Sequence, residues 1–79
     1  MTRYCFHIYN GNRYFVDELG RDCPSDAAAR ELALVDARSI MRPESRDGAL
    51  NLSSFVEVQN KDEAATFIVD FSEALVPSP

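Results

Sequence analysis

The sequence predicts an α+β domain in which one helix packs on one face of a four-stranded antiparallel sheet. Four short segments have the composition or pattern of strands: the first two are rich in aromatic and β-branched residues, and the last two alternate apolar and polar residues. Between the second and the third of them, a longer segment from about Ser25 to about Arg42 carries apolar residues at helical spacing. With 79 residues, the chain has room for a single core. These observations predict two layers in the order β-β-α-β-β.

The first two predicted strands form a hairpin, since aromatic and β-branched segments flank Asn10-Gly11. These strands are Arg3–Tyr9 and Arg13–Asp17. Two loops fit: a two-residue turn at Asn10-Gly11 sets Phe6 opposite Phe15, and a bulged three-residue loop, with Gly11 left-handed, sets Phe6 opposite Tyr14. We expect the bulged loop, because it gathers apolar residues on one face. They are Tyr4, Phe6, Ile8, Tyr14 and Val16.

The predicted helix begins at Pro24-Ser25-Asp26, which offers a capping oxygen, a proline tolerated in the first turn and an acid at the positive end. Pro43 is expected to end it, because proline disfavours helical geometry at the preceding residue. One side of this helix collects small and apolar residues and is expected to face the sheet. It comprises Ala28, Ala29, Leu32, Val35, Asp36, Ser39 and Ile40. Leu34 and Met41 are expected on the side away from the core.

The third and fourth predicted strands are Phe55–Gln59 and Thr66–Phe71. The helix returns the chain so that the second and third strands run the same way, and the third can then lie beside the first with every neighbour antiparallel. The expected sheet order is therefore 2-1-3-4. The inward residues of the last two strands are Val56, Val58, Phe67, Val69 and Phe71. Residues 1–72 form the predicted domain, and residues 73–79, with two prolines, form a flexible tail.

The charge and hydropathy of the chain argue against nucleic acid and membrane as partners. A net charge of −5 and a pI near 4.6 give a surface that repels phosphate backbones. No run approaches the roughly 20 apolar residues of a membrane span, and the first residues lack the apolar core of a secretion signal. We therefore expect a cytoplasmic protein in which Cys5 and Cys23 are reduced, buried thiols.

Residue types that usually carry chemistry are sparse. His7 is the only histidine, and Cys5, His7 and Cys23 supply three soft donors where structural zinc takes four in paired short spacings. Acidic residues crowd the turn after the hairpin, but their spacing matches no calcium loop. The glycines are scattered one per turn, so the sequence has no phosphate-binding loop. We expect no metal and no cofactor, and favour a non-enzymatic protein.

The face of the sheet away from the helix, called the outer face, is more aromatic than a solvated surface usually is. The residues predicted there are Cys5, His7, Tyr9, Phe15, Phe55 and Ile68, mixed with Arg13, Glu57 and Asp70. We predict a protein-interaction or self-associating module, such as a homodimer. Its binding residues are His7, Tyr9, Phe15, Phe55 and Ile68. Two alternatives stay open: that Leu75 and Val76 of the tail cover this face, and that a small-molecule or catalytic site lies around His7 and Cys5.

A pattern of residues runs along nearly the whole chain, opening with Arg3–Ile8 and returning at Phe55–Val58. Between them it includes Asn10-Gly11, Asp17–Gly20, Pro24 and Ala28-Ala29. In these residues the sequence resembles a family of short proteins of soil and root-nodule alphaproteobacteria, a domain of unknown function. It departs from that family in having Cys5 where an aromatic is usual, and in lacking a glycine in the loop 60–64. The resemblance implies no activity, because the family has no assigned function.

Overall fold

The structure is a computed structural model that describes residues 1–47 and 53–75, with the side chains of 42–47 left aside. The sheet strands are β1 (Thr2–Asn10), β2 (Arg13–Phe15), β3 (Arg21–Cys23), β4 (Phe55–Asn60) and β5 (Ala65–Asp70). One helix, α1 (Asp26–Asp47), separates β3 from β4, and a 3-10 helix (Phe71–Leu75) follows β5. The predicted α+β class, an antiparallel sheet with one helix, is confirmed.

The sheet order is β2-β1-β4-β5 with every pair antiparallel, which confirms the order expected for the four predicted strands. The expected count of four strands is wrong, because Arg21–Cys23, which lies between the predicted hairpin and the predicted helix, forms a fifth strand. It pairs with the first residues of β1, while β2 pairs with the last ones. Since β4 occupies the other side of β1, the strands β2 and β3 lie end to end along one broken edge.

The hairpin closes through a two-residue loop, Gly11-Asn12, and both predicted registers are wrong. Gly11 has φ of 68°, as the first loop position of a type II′ turn requires, and this twist suits the flanking strands. Ser54 secures the turn, because its hydroxyl accepts from the Gly11 N–H at 3.0 Å. Compared with the expected bulged loop, the observed register turns every β2 side chain to the other face, so Phe15 lies opposite Ile8 on the helix side and Tyr14 lies on the outer face.

Helix α1 begins as expected and ends later than expected. The Ser25 hydroxyl accepts from the Ala28 N–H at 3.1 Å, which is the geometry of an N-cap. The prediction that Pro43 ends the helix is wrong, since α1 continues to Asp47. Inside a helix, proline removes the hydrogen bond to the carbonyl four residues earlier and crowds that carbonyl, which weakens a helix without always ending it. That carbonyl belongs to Ser39, an exposed residue whose freed oxygen water can reach.

The core lies between the sheet and a stripe of alanines. Fully buried alanines recur every four residues along α1, ending in Met41, which is 3% exposed. They are Ala29, Ala33 and Ala37. The predicted helix face was therefore rotated: Val35 and Ser39 are exposed, and Leu34 packs against the core. Small side chains decide the contact because they let the helix backbone approach the buried sheet residues closely. Those residues include Tyr4, Phe6, Val56, Val58 and Val69, as predicted.

The chain after β5 packs on α1. Phe71 and Ala74 are buried in the 3-10 helix, and Arg38 Nε donates to the Ala74 carbonyl at 3.1 Å. Arg30 forms a salt bridge with Glu73. The first residues of the predicted tail thus have a defined place against the helix, while 76–79 lie outside the described residues. The domain boundary at residue 72 stays a prediction.

Candidate functional site

The register of the strands arranges the outer face in rows across the sheet. The first row runs from β2 to β5 as Tyr14, Tyr9, Phe55 and Asp70. The next row is His7, Glu57 and Ile68, and the third is Cys5, Gln59 and Thr66. Helix α1 packs on the opposite face, so within residues 1–47 and 53–75 the outer face has no helical layer.

Three aromatic rings form a continuous stack on this face. The Tyr9 ring lies between Tyr14, with centroids 4.1 Å apart, and Phe55, with centroids 4.5 Å apart. Both ring pairs are near parallel, at 22° and 24°. Burial, a side-chain hydrogen bond with Tyr9 and the nearby Glu57 carboxylate raise the pKa of Tyr14. The stack is nevertheless accessible, because the Tyr14 side chain is 46% exposed.

His7 is held in place by contacts at both ring nitrogens. Its Nδ1 accepts from the Asp17 N–H at 3.0 Å, and its Nε2 lies 3.1 Å from Gln59 Oε1. Because Nδ1 accepts, the proton of the neutral ring is assigned to Nε2, which donates to Gln59. The residue is 7% exposed. His7 therefore orients the neighbouring chain and offers no free nitrogen to a substrate in this arrangement.

Asp17 fills the break between β2 and β3. Its carboxylate accepts from the backbone N–H of Phe6 at 3.0 Å, of Gly20 at 3.0 Å and of Leu19 at 3.2 Å. Burial alone favours the neutral acid, but the bonds from Gly20, Phe6 and Leu19, together with the Arg21 charge, outweigh it and lower the pKa of Asp17. One side chain thus satisfies the backbone of β1 where no strand pairs with it.

The structure brings four of the five predicted binding residues to the outer face. They are His7, Tyr9, Phe55 and Ile68. The placement of Phe15 is wrong, since the hairpin register turns it to the helix side, where it lines a groove with Ile8, Asn10 and Ile40. Arg13, also expected on the outer face, shares the Phe15 side. Tyr14, predicted on the helix side, lies on the outer face instead. A two-residue type II′ loop that begins at Gly11 predicts this placement.

The donors considered for a metal do not converge. Cys5 lies on the outer face, whereas Cys23 belongs to the core on the helix side, and both are free thiols. Among the described residues, no three His, Cys, Asp or Glu side chains come close enough together to hold a metal ion.

The free charges near the aromatic stack are acidic. Glu57 lies beside Phe55 in β4, and Asp70 ends the row of the stack. None of the salt bridges in the described part of the chain involves either carboxylate. The one basic residue of β1, Arg3, is paired with Asp22 at 2.8 Å. The accessible surface around the rings therefore carries negative charge.

Comparison with known proteins gives a family and no activity. Residues 3–72 match the family described as Domain of unknown function (DUF6894). The chain belongs to DUF6894. No curated protein and no solved structure matches the chain significantly. The match covers the sheet, α1 and the outer face of this DUF6894 protein. Within the described residues, no helix is long and apolar enough to cross a membrane.

Proposed function

We propose that this DUF6894 protein is a non-enzymatic protein-interaction module whose partner docks on the outer face. The observation that carries the proposal is the continuous stack of Tyr14, Tyr9 and Phe55 on a face that no helix of the described residues covers. Aromatic clusters of this kind supply rigid apolar contact area and are enriched at the centres of interfaces. Ile68, 44% exposed, extends the apolar surface toward β5.

The chemistry of the face favours a basic partner segment. Aromatic faces attract guanidinium and ammonium groups, by about 0.5–1 kcal/mol at exposed sites. Glu57 and Asp70 flank the rings and have no salt bridge within the described chain, so both can pair with the same cationic segment. The net charge of −5 adds long-range attraction for a basic protein. Arginine or lysine side chains presented by a partner are therefore the ligands that fit.

An enzymatic role around His7 and Cys5 has less support. Both side chains are buried, and both His7 ring nitrogens are engaged. A general base must reach the proton that it removes.

A cytoplasmic location and an alphaproteobacterial origin stay predictions from the sequence.

The proposal is tested by titrating the isotope-labelled chain with a short oligoarginine peptide and following the backbone amides by NMR. We expect saturable shifts at Tyr9, Phe55 and Ile68, and none with an oligoglutamate peptide. Replacing Tyr14 by Ala should weaken binding by about two- to fivefold, the loss of one exposed cation–π contact. Phe15→Ala is the matched control, because Phe15 has a similar exposure of 51% on the other face.

A second pair of variants separates a defined site from general attraction between opposite charges. Glu57→Gln and Glu31→Gln each remove one negative charge, but Glu31 lies exposed on α1. A defined outer-face site requires that only Glu57→Gln weakens binding. Equal effects of the two substitutions, or shifts spread evenly over the surface, would refute the proposal.

A further inference from the structure

The two edges of the sheet differ in how well they are protected. The edge formed by β2 and β3 is broken into three-residue strands, and Asp17 satisfies the backbone between them. The other edge is β5, six unbroken residues with the sequence Ala-Thr-Phe-Ile-Val-Asp. It has no proline, glycine, lysine or bulge, the features that usually keep an edge from pairing. Within the described residues, no strand pairs with its free side.

The hydrogen-bond pattern identifies which groups of β5 point outward. Lys61 donates to the Arg3 carbonyl and Phe71 donates to the Ser54 carbonyl, which fixes the alternation across β1, β4 and β5. Ala65, Phe67 and Val69 therefore bond to β4. The N–H and C=O groups of the alternate residues face away from the sheet. These residues are Thr66, Ile68 and Asp70.

Glu73 limits this edge to two residues with both groups free. Its Oε2 accepts from the outward Asp70 N–H at 2.8 Å, so that donor is already satisfied. The remaining complete pairs of donor and acceptor belong to Thr66 and Ile68. A second strand that runs antiparallel to β5 would satisfy the N–H and C=O groups of both residues. One of its residues would pair with Thr66, and the residue two positions before it in that strand would pair with Ile68.

We propose that two copies of this chain associate through their β5 edges, with the two-fold axis at Phe67. In this register Thr66 of each copy pairs with Ile68 of the other, and the four free groups of each edge all find partners. A two-fold axis at Ile68 would instead require the Asp70 N–H that Glu73 occupies. The side chain of Glu73 thus favours one register over the other.

The side chains at this edge suit a second copy. Phe67 would meet its own symmetry mate in a non-hydrogen-bonded pair, where side chains approach most closely. On the helix side Phe67 borders an open groove with Asp26, Ala27 and Arg30, which gives the partner's ring room. On the outer face Thr66 would contact Ile68 of the second copy, which covers part of an apolar side chain that is 44% exposed.

Pairing would join the two sheets into one and set the two aromatic stacks on the same continuous face. The interface uses a short stretch of backbone and two copies that each carry a net charge of −5, so its affinity is expected to be modest and to rise with salt. The β5 edge shares Ile68 with the outer face but lies apart from the aromatic stack, and the proposed binding of a basic partner rests on the stack and not on dimerisation.

Analytical ultracentrifugation of the wild-type chain from about 10 μM to about 1 mM tests the association by mass action. We expect the average mass to rise from 8.9 kDa toward twice that value, and to rise further with added salt. Thr66→Pro removes one outward N–H, a change that an edge strand tolerates, and should keep the chain monomeric. Thr66→Val keeps that N–H and is the matched control, which should dimerise as the wild type does.

If Thr66→Pro does not unfold cooperatively, Thr66→Lys replaces it, because an edge lysine opposes pairing and leaves the ladder to β4 intact. The register is tested by mixing Thr66→Cys and Ile68→Cys chains in a glutathione redox buffer. Each S–S bond forms as two thiols lose their protons and oxidised glutathione is reduced. Cross-links should form mainly in the mixture, since 66 and 68 face each other across the axis.

Three results would overturn the proposal. They are a wild-type chain that stays monomeric at every concentration and salt, a dimer that survives the change that blocks Thr66, and cross-linking of Ile68→Cys alone at the rate of the mixture. Binding of oligoarginine by the monomeric Thr66 variant would support the proposed function even though that variant does not dimerise. Failure of the dimer proposal is therefore distinguishable from failure of the proposed function.

Discussion

Ala64 is the non-glycine residue with a positive φ, 54°, in the described part of the chain. It ends the turn between β4 and β5, where Asn60 Oδ1 accepts from the N–H groups of Asp62 and Glu63 at 3.0 Å each. This side-chain cap tightens the turn and leaves the last residue to reverse the chain in the left-handed conformation. The loop 60–64, which has no glycine, thus carries strain that a glycine would relieve.

We predict that Ala64→Gly stabilises the fold. Left-handed geometry costs a residue with a Cβ about 1–2 kcal/mol, which Ala64→Gly would recover. The greater freedom of glycine in the unfolded chain would reduce this gain by about 0.4–1 kcal/mol. The net gain should be up to about 1.6 kcal/mol, and each kcal/mol should raise Tm by about 4–8 °C for a domain of this size. Thermal unfolding followed by circular dichroism measures it.

The control for this substitution is Ala27→Gly, at an exposed position in the first turn of α1. There glycine relieves no strain and should cost up to about 1 kcal/mol. A Tm that falls for both variants would show that Ala64 is not strained.

At the scale of elements, the sequence predicts features that depend on neighbouring residues. It does not predict features that depend on contacts between residues far apart in the chain. Alternation identifies β1, β4 and β5, and Ser25 marks the start of α1, because each signal lies within a few residues. The hairpin register depends on which loop residue takes positive φ and on Ser54, far along the chain, bonding to Gly11. A pattern of apolar residues does not contain that information.

The helix face and the candidate site are predicted in part, and their errors have a related cause. Ala29, Leu32 and Ile40 contact the core as expected, but Val35 is exposed because close approach of the helix backbone favours the alanine stripe over a larger apolar residue. The face of Phe15 follows from the hairpin register, and the observed register differs from the expected one by three residues, an odd number, which exchanges the faces of Phe15 and Tyr14. The sequence shows that His7 and Asp17 are present, but it does not show the hydrogen bond between them. That bond forms because β2 and β3 each pair with only part of β1 and leave Asp17 in the gap between them.

The alanine stripe gives a prediction for α1. Ala33 is fully buried against the sheet, so Ala33→Leu must push the helix outward or force strained side-chain conformations, at a cost of about 1–3 kcal/mol. Val35→Leu adds a side chain of the same kind two residues away, where 51% exposure leaves room, and should change stability by less than about 0.5 kcal/mol. Urea denaturation compares them. Equal stability of the two variants would contradict close packing at Ala33.

At the scale of the whole molecule, two titrating groups tie separate elements together and act at opposite ends of the pH range. Asp17 joins the segment between β2 and β3 to β1, and its pKa lies below the ordinary 3.8. Tyr4, on β1, donates to Asp26 Oδ1 at the start of α1 at 2.5 Å. That hydrogen bond, with burial and the charge of Asp26, raises the pKa of Tyr4 to about 12.

These directions set the sign of each limb of a pH–stability curve. The lowered pKa of Asp17 means that its contribution is complete above about pH 3.8 and is lost as the pH falls through the folded value. The raised pKa of Tyr4 means that its contribution is complete below pH 10 and is lost as the pH rises from 10 toward about 12. Tyr14, whose pKa is also raised, adds to the alkaline limb in the same direction.

We therefore predict a plateau in the free energy of unfolding between these limits, measured by urea denaturation at a series of pH values. Asp17→Asn should lower the plateau and flatten the acid limb, because an amide cannot accept from Phe6, Leu19 and Gly20 with both of its terminal atoms. Tyr4→Phe should leave the acid limb unchanged and weaken the alkaline one. If Tyr4→Phe loses stability above pH 10 as steeply as the wild type, the hydrogen bond from Tyr4 to Asp26 does not cause the loss of stability at high pH.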